Sequence, residues 1–279
     1  MHGLGVALHG TLLAGASVVL HASFDPEAIL SSVADDDVTL FFGVPTMYRR
    51  LVDADRPERF RGLRLAVSGS APLPADLHRQ IAERLGQTVL ERYGMTETVM
   101  LVSNPYEGDR RAGTVGLPLP GVELRLADGT DEIEVRGPNV FGGYLSNPEA
   151  NAVAFTPDGW FRTGDIGHVD ADGYVSIVGR AKELIISGGY NVYPREIEDL
   201  LRAHPAVVDA AVVGTPSAEW GEVVTAYVEL GDDVASEELL EWAAQGLAPY
   251  KRPRLVHAVV ELPRNKLGKV LRDQLTPPT

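Results

Sequence analysis

A chain of 279 residues, 44% hydrophobic and 23% charged, is long enough to bury a core as one large domain or two ordinary ones. Lys plus Arg at 25 against Asp plus Glu at 39 leaves a net charge of −14, which argues against nucleic acid or an anionic membrane as the main partner. The absence of cysteine excludes disulfides, thiolate metal sites and cysteine nucleophiles within it, but a small anionic ligand stays open, because a few placed cations and backbone N–H groups hold a phosphate whatever the net charge.

The N-terminal stretch to Leu20 has no basic region, and His9 and Gly10 interrupt its apolar run, so no signal peptide is expected. No apolar run reaches the roughly 18 residues of a membrane span, and the expected compartment is the cytoplasm. Ser17–Leu20 reads as a strand and Asp25–Ala34 as a helix. Thr39–Val44 reads as a buried strand, followed by a helix opened by Pro45 that runs through Met47, Leu51 and Val52. Leu63–Ser68 is a strand, Pro74–Leu85 a helix and Thr88–Glu91 a strand. That alternation predicts a mainly parallel α/β sheet.

Residues 115–178 change texture. Val122–Leu126, Glu132–Val135 and Tyr174–Val178 read as strands, separated by Asp-Gly turns at 128–129, 158–159 and 172–173, which make a smaller β-rich unit. Beyond Arg180 a compact α+β module is expected. It comprises an amphipathic helix over Pro194–Ala203, strands over Val207–Gly214 and Val223–Leu230, a helix over Ser236–Leu247 and a last strand over Leu255–Leu262. Ser236 is the expected N-cap of its helix, with Glu237 and Glu238 in the dipole-favoured first turn.

Six segments could carry chemistry. Ser68-Gly69-Ser70-Ala71-Pro72-Leu73 joins a strand to a helix with residues small enough for the backbone to approach a ring or phosphate; it also reads as an ordinary loop. Glu91-Arg92-Tyr93-Gly94-Met95-Thr96-Glu97 presents a hydroxyl beside a carboxylate, a pair suited to phosphate and magnesium or to a capped helix start. Trp160-Phe161-Arg162-Thr163-Gly164-Asp165 and Gly179-Arg180-Ala181-Lys182-Glu183-Leu184-Ile185 offer a carboxylate for a vicinal diol and an Arg beside it, or a simple surface ion pair. Ser187-Gly188-Gly189-Tyr190-Asn191-Val192-Tyr193-Pro194 is a Gly-rich turn leading to a helix. Pro263-Arg264-Asn265-Lys266-Leu267-Gly268-Lys269-Val270 lies near the C-terminus, where a lysine is ordinarily solvated.

In this order, the six segments resemble the acyl- and aryl-CoA synthetases of the luciferase-like, adenylate-forming superfamily, across essentially the whole chain. The resemblance implies an α/β fold: the C-terminal part of a large AMP-binding domain over 1–181, then a mobile α+β domain over 182–279 hinged at Lys182. It implies ATP, Mg²⁺ and CoA as cofactors and substrates. Gly69, Ser70, Ala71 and Pro72 would line the adenine site, with Tyr93 near the ring and Gly94 and Met95 near the acyl group. Thr96 would bind phosphate, Glu97 the magnesium ion, and Asp165 with Arg180 the ribose hydroxyls. Gly188 and Gly189 would line the pantetheine tunnel, and Lys269 would steady the carboxylate and α-phosphate during adenylation.

The stretches Val67–Leu73, Leu90–Glu97 and Arg111–Val122 look most like malonyl-CoA synthetases, in which an Arg after SGSAPL pairs with the distal carboxylate. Arg79 is the candidate here, and it also reads as a solvated helix cation. SGGYNVYPREIE instead resembles the general fatty and aryl enzymes. The expected substrate is a small carboxylic acid, with malonate or a methylated malonate favoured. The Ser/Thr/Gly-rich phosphate loop of the family is not found, and His2-Gly3-Leu4 resembles the tail of a segment that follows it. The expectation is therefore a carboxylic acid–CoA ligase represented by its C-terminal portion, or one that works with a separately encoded N-terminal part. A nucleotide- or CoA-binding remnant without catalysis, and an enzyme that loads a carrier protein, are the rival readings.

Overall fold

The computed structural model describes residue 5 and residues 8–265 and 269–275. Its contacts divide the chain into two units: residues 1–163 with 167–177, and residues 164–166 with 178–279.

After one turn of helix, α1 (Thr11–Leu13), the first unit builds α2 (Pro26–Asp35). Asp25 caps α2 by accepting the Ala28 N–H at 2.9 Å, and Pro26 supplies a preset φ at the first helical position. β1 (Leu40–Gly43), α3 (Pro45–Val52), β2 (Leu65–Ser68), α4 (Ala75–Gln80, continued by a π turn over Ile81–Leu85) and β3 (Leu90–Tyr93) then alternate. β1, β2 and β3 are parallel neighbours, whereas β4 (Val102–Ser103) and β5 (Leu117–Pro118) add antiparallel to them. The five-stranded sheet is thus mixed, with its parallel half where the alternation predicted it. Leu30, Tyr48, Leu51, Phe60, Leu77 and Ile81 are among the buried residues that pack the helices onto that half.

A second sheet, ordered β6-β7-β8-β9, is formed by Glu123–Leu126, Glu132–Arg136, Phe161–Val169 and Val175–Arg180, with α5 (Pro148–Ala154) inserted between β7 and β8. Trp160, just before β8, lies between the guanidinium groups of Arg125 and Arg136, at 4.4 and 4.6 Å from its ring.

In the second unit, β10 (Ile185–Ser187) and β11 (Tyr190–Val192) form a hairpin, followed by α6 (Pro194–Arg202). β12 (Val207–Ser217), β13 (Gly221–Leu230), α7 (Ser236–Gly246) and β14 (Leu255–Val259) complete it, with the sheet ordered β11-β10-β13-β12 and β14 parallel to β13. α6 and α7 bury Ile197, Leu201, Leu239 and Ala243 against one face of this sheet.

Several expectations are corrected. Ser17–Leu20 forms no strand and pairs with none among the described residues, and its side chains lie exposed, so β propensity finds nothing to ladder with. The strand expected at Thr88–Glu91 lies two residues later, at Leu90–Tyr93. Ala235, not Ser236, is the N-cap of α7, and no side chain caps that helix; Glu237 and Glu238 do stand in its first turn. The structure also adds α5, β8 and the short strands β4, β5, β10 and β11. No described helix is long and apolar enough to cross a membrane.

One acid-sensitive joint lies in the second unit. Burial opposes ionisation of Asp209, but Arg202 and Arg264 outweigh it and hold the carboxyl below its ordinary range. A pKa lowered by folding contributes stability above the ordinary carboxylate range and loses it as pH falls through the folded value. The denaturant midpoint of this unit should therefore drop on acidification, and Asp209→Asn should flatten that pH dependence while lowering the plateau at neutral pH.

Candidate functional site

Parallel strands send their following loops to the same edge of a sheet, the edge where α/β proteins bind ligands. β2 leads into residues 69–74 and β3 into residues 94–101, so the two glycine-containing segments are brought together at that edge. Gly69 is buried and donates its N–H to the Gly43 carbonyl at the end of β1, 3.3 Å away. Ser70 takes φ of +68°, which lifts the chain out of the strand, and Ala71 and Pro72 continue it outward. Glu91, buried in β3, accepts the Leu73 N–H at 3.0 Å and so ties the far end of this loop to the strand beside it.

The loop after β3 is folded tightly on itself. Leu101 N–H donates to the Tyr93 carbonyl at 3.0 Å and Thr98 N–H to Met95 at 3.2 Å. A Cβ on Gly94 would stand 1.9 Å from the Val99 carbonyl oxygen, so only glycine fits. Tyr93 and Met95 turn toward the hydrophobic cluster of Leu101, Val102 and Phe161. Thr96 is exposed, and Glu97 is half-buried with one carboxylate oxygen accepting the Tyr144 hydroxyl at 3.1 Å. Burial, and the Glu97 carboxylate it donates to, push the Tyr144 phenol up. The Phe141 N–H donates to the Glu97 carbonyl at 2.8 Å, which fixes the backbone as well.

A carboxylate beside a threonine hydroxyl is a hard oxygen pair, the donor type Mg²⁺ prefers, and Mg²⁺ is ordinarily completed by substrate phosphate and water. The residues present fit that ion. No cluster of three potential metal ligands occurs among the described residues, so phosphate and water would have to supply the remaining positions.

Arg92, between Glu91 and Tyr93, is a feature the sequence reading passed over. Its guanidinium stands 5.3 Å from the Phe42 ring, and its buried Nε and Nη2 have no hydrogen-bond partner among the described residues. Burial pushes its pKa below the ordinary arginine value, with the Tyr48 phenol acting the other way, yet arginine stays charged at neutral pH. Tyr48 itself is fully buried and donates to the Val67 carbonyl at 2.8 Å. A desolvated cation with spare donors is expensive to hold and is a ready receptor for an anion. Arg79, the sequence candidate, is exposed on the last turn of α4.

In the second unit, Asp165 is buried and its Oδ1 lies 2.8 Å from Arg180 Nε. The two motifs expected to act as a pair therefore do meet. Lys182 is exposed in a 3-10 turn, Ala181–Glu183, directly after β9. Gly188 and Gly189 form the exposed turn of the β10–β11 hairpin, both at positive φ. The Gly188 N–H donates to the Trp220 carbonyl at 2.9 Å, and a Cβ there would meet the Trp220 ring at 2.7 Å. Lys269 is exposed on a short hairpin: its N–H donates to the Asn265 side chain at 3.1 Å, and its carbonyl accepts the Asn265 N–H at 2.9 Å. Lys266, Leu267 and Gly268 of the same motif, and His2-Gly3-Leu4, lie outside the described residues.

The AMP-binding enzyme family model matches residues 1–145, and the model of the AMP-binding enzyme C-terminal domain matches residues 196–269. The chain belongs to the AMP-binding enzyme family. Among curated relatives it is 41% identical over 287 residues to a feruloyl-CoA synthase of Amycolatopsis, covering 98% of this chain and 58% of that protein. It is 39% identical over 314 residues to a malonate–CoA ligase of Arabidopsis thaliana, covering 99% of this chain and 52% of that protein. The ATP-bound MatB of Rhodopseudomonas palustris superposes with a TM-score of 0.92 at 46% identity, over 98% of this chain and 56% of the other. The fold is thus the adenylate-forming one, and the chain spans about half the length of the curated relatives it matches.

Proposed function

We propose that this chain carries the nucleotide- and acid-handling part of an AMP-forming acid–CoA ligase. The supporting observation is the convergence of the 69–74 and 94–101 loops at one edge of the parallel strands, with Thr96 exposed and Glu97 half-buried on the second of them, in a member of this family. The carboxylate of the acid attacks the α-phosphorus of ATP, giving acyl adenylate and pyrophosphate. The CoA thiolate then attacks the acyl carbon and AMP leaves.

In this reading, Gly69, Ser70, Ala71 and Pro72 let the adenine ring lie against backbone, with Tyr93 beside it. Thr96 donates to phosphate, and Asp165, held by Arg180, accepts from the ribose hydroxyls. A Mg²⁺ ion held through Glu97 would offset charge on the phosphates. Lys269 brings a mobile positive charge to the carboxylate and α-phosphate in the first step. The domain that carries it, residues 182–279, pivots at Lys182, and Gly188 and Gly189 border the pantetheine arm in the second step. Gly94 and Met95 border the acyl group.

In this reading Arg92 is the favoured holder of the acid's second carboxylate. A small dicarboxylic acid, malonate or a methylated malonate, places its second carboxylate on the unpaired Nε and Nη2 of that guanidinium. Support comes from the similarity to proteins named malonate–CoA ligases, while the similarity to a feruloyl-CoA synthase keeps monocarboxylic acids in the test.

ATP–pyrophosphate exchange over a panel of acids tests both levels, run with the chain alone and with the remaining half of a family member added. Acid-dependent exchange in either condition supports the ligase reading, and nucleotide binding without exchange in both contradicts it. Exchange without CoA turnover would point to a carrier-protein acceptor. Arg92→Gln should lower malonate-dependent exchange about 10- to 100-fold, the cost of one lost charged hydrogen-bond pair, and leave a monocarboxylate of similar length unaffected. If Arg79→Ala shows that selective loss and Arg92→Gln does not, the assignment passes to Arg79.

A further inference from the structure

The second unit holds a chain of ion pairs that the proposed chemistry does not use. Glu198 on α6 is buried; its Oε1 accepts the Val212 N–H at 2.8 Å and lies 3.0 Å from Arg272 Nη2, while its Oε2 faces Arg202 at 3.6 Å. Arg272 turns its Nε to Glu183 Oε2 at 3.2 Å. Glu183 belongs to the same 3-10 turn as Lys182, and Arg272 follows directly on the hairpin that carries Lys269.

Both roots of that hairpin are pinned. At one root the Leu271 N–H donates to the Pro263 carbonyl at 2.7 Å, and Arg272 takes up Glu183 and Glu198. At the other root, Arg264 pairs with Asp209, which also holds Arg202 at 2.6 Å. Ion pairs that share a buried carboxylate are screened far less than pairs on an open surface, so this network can transmit a position.

We infer that Arg272 is a positioning residue that locks the Lys269 hairpin to the turn holding Lys182, so that a rotation at Lys182 carries the amine as part of one rigid piece. The inference rests on the reading of Lys269 as the lysine of adenylation. Its physical content is separate from that reading: Glu183 and Glu198 share one guanidinium, which ties the segment just after Lys269 to the turn at Ala181–Glu183. Arginine suits the place because its planar fork reaches two carboxylates at once, which a lysine ammonium does less well.

Amide hydrogen exchange on the full chain tests the coupling. In Glu183→Gln, the Asn265, Lys269 and Leu271 amides should lose about tenfold in protection, while β12–β13 amides keep theirs. Arg272→Gln should do the same and Arg272→Lys should restore part of the protection. Unchanged protection at those three amides in Glu183→Gln, or an equal loss throughout the unit, overturns the coupling. ATP–pyrophosphate exchange should fall in Glu183→Gln and Arg272→Gln and recover partly in Arg272→Lys, while thioester formation from supplied acyl adenylate keeps its rate. Loss of both half-reactions together would overturn the positioning role. Lys269→Ala separates the two ideas: if it leaves pyrophosphate exchange intact while Glu183→Gln still loosens the hairpin, the reading of Lys269 fails and the coupling stands.

Discussion

Lys269→Ala should abolish most of the adenylation half-reaction and leave the thioester half-reaction close to wild type. Negative charge gathers on the α-phosphorus as a carboxylate attacks it, and one well-placed donor at such a centre is worth about 10²–10³ in rate. The second step needs no cation at that place, because a thiolate meets an acyl carbon and AMP leaves. The measurement is pyrophosphate exchange set beside CoA turnover from supplied acyl adenylate, with the protein in whatever combination supports exchange. Equal loss in both assays would contradict the role given to this lysine. Lys269→Arg keeps the charge but changes the shape of the head group, so partial activity is expected from it.

Gly94→Ala should be nearly as damaging, for a purely steric reason. The added methyl would fall 1.9 Å from the Val99 carbonyl oxygen, and backbone cannot yield as a side-chain tip does. The turn from Tyr93 to Leu101 must therefore open, at a cost of about 1–3 kcal/mol in stability. Thr96 and Glu97 sit on that turn, and a displacement near 1 Å at a reacting centre is worth about 10² in rate. Expected results are a lowered denaturation midpoint and a pyrophosphate exchange rate down about a hundredfold. A variant with native stability and native exchange would show that the turn is looser than its hydrogen bonds imply.

Much of the parallel half of the first sheet was legible. Asp25-Pro26 and Pro45 mark helix starts by mechanism, and the apolar run Leu40-Phe41-Phe42 does form a strand, although its three side chains are half-buried rather than buried as expected. What escaped did so for identifiable reasons. β4 and β5 are two residues each, too short to show any period. α5 buries no side chain, so it lacks an apolar stripe, although Asn147-Pro148-Glu149 is a readable start signal: the Asn147 side chain accepts the Ala150 N–H at 3.1 Å. β8 was hidden by Gly164 and Gly167; at Gly167 a Cβ would stand 2.6 Å from the Ile133 side chain and 3.0 Å from the Ser176 carbonyl oxygen. Ser17–Leu20 has strand composition without a strand partner, and composition cannot report on partners.

The candidate site divides the same way. Residues carried by ordered motifs, from Gly69 to Lys269, could be named from sequence, but their mutual geometry could not. Asp165 and Arg180 are fifteen positions apart, and only folding shows that they form an ion pair at 2.8 Å. Arg92 was passed over because an arginine inside a motif reads as motif text; its desolvation and its unpaired donors exist only in three dimensions. Glu91 and Arg272 belong to the same class, since each matters through what it holds in place.

The stretch from Leu12 to Leu20 has a practical side. Leu12, Leu13, Val18, Val19 and Leu20 all stand in solvent, Leu13 and Leu20 at 90% and 86% exposure. Exposed apolar side chains favour self-association, whereas a net charge of −14 drives like molecules apart. Those two forces respond oppositely to added electrolyte: ions screen the repulsion and leave the apolar attraction in place. Added salt is accordingly expected to shift that balance toward association, and dilute buffer to shift it back.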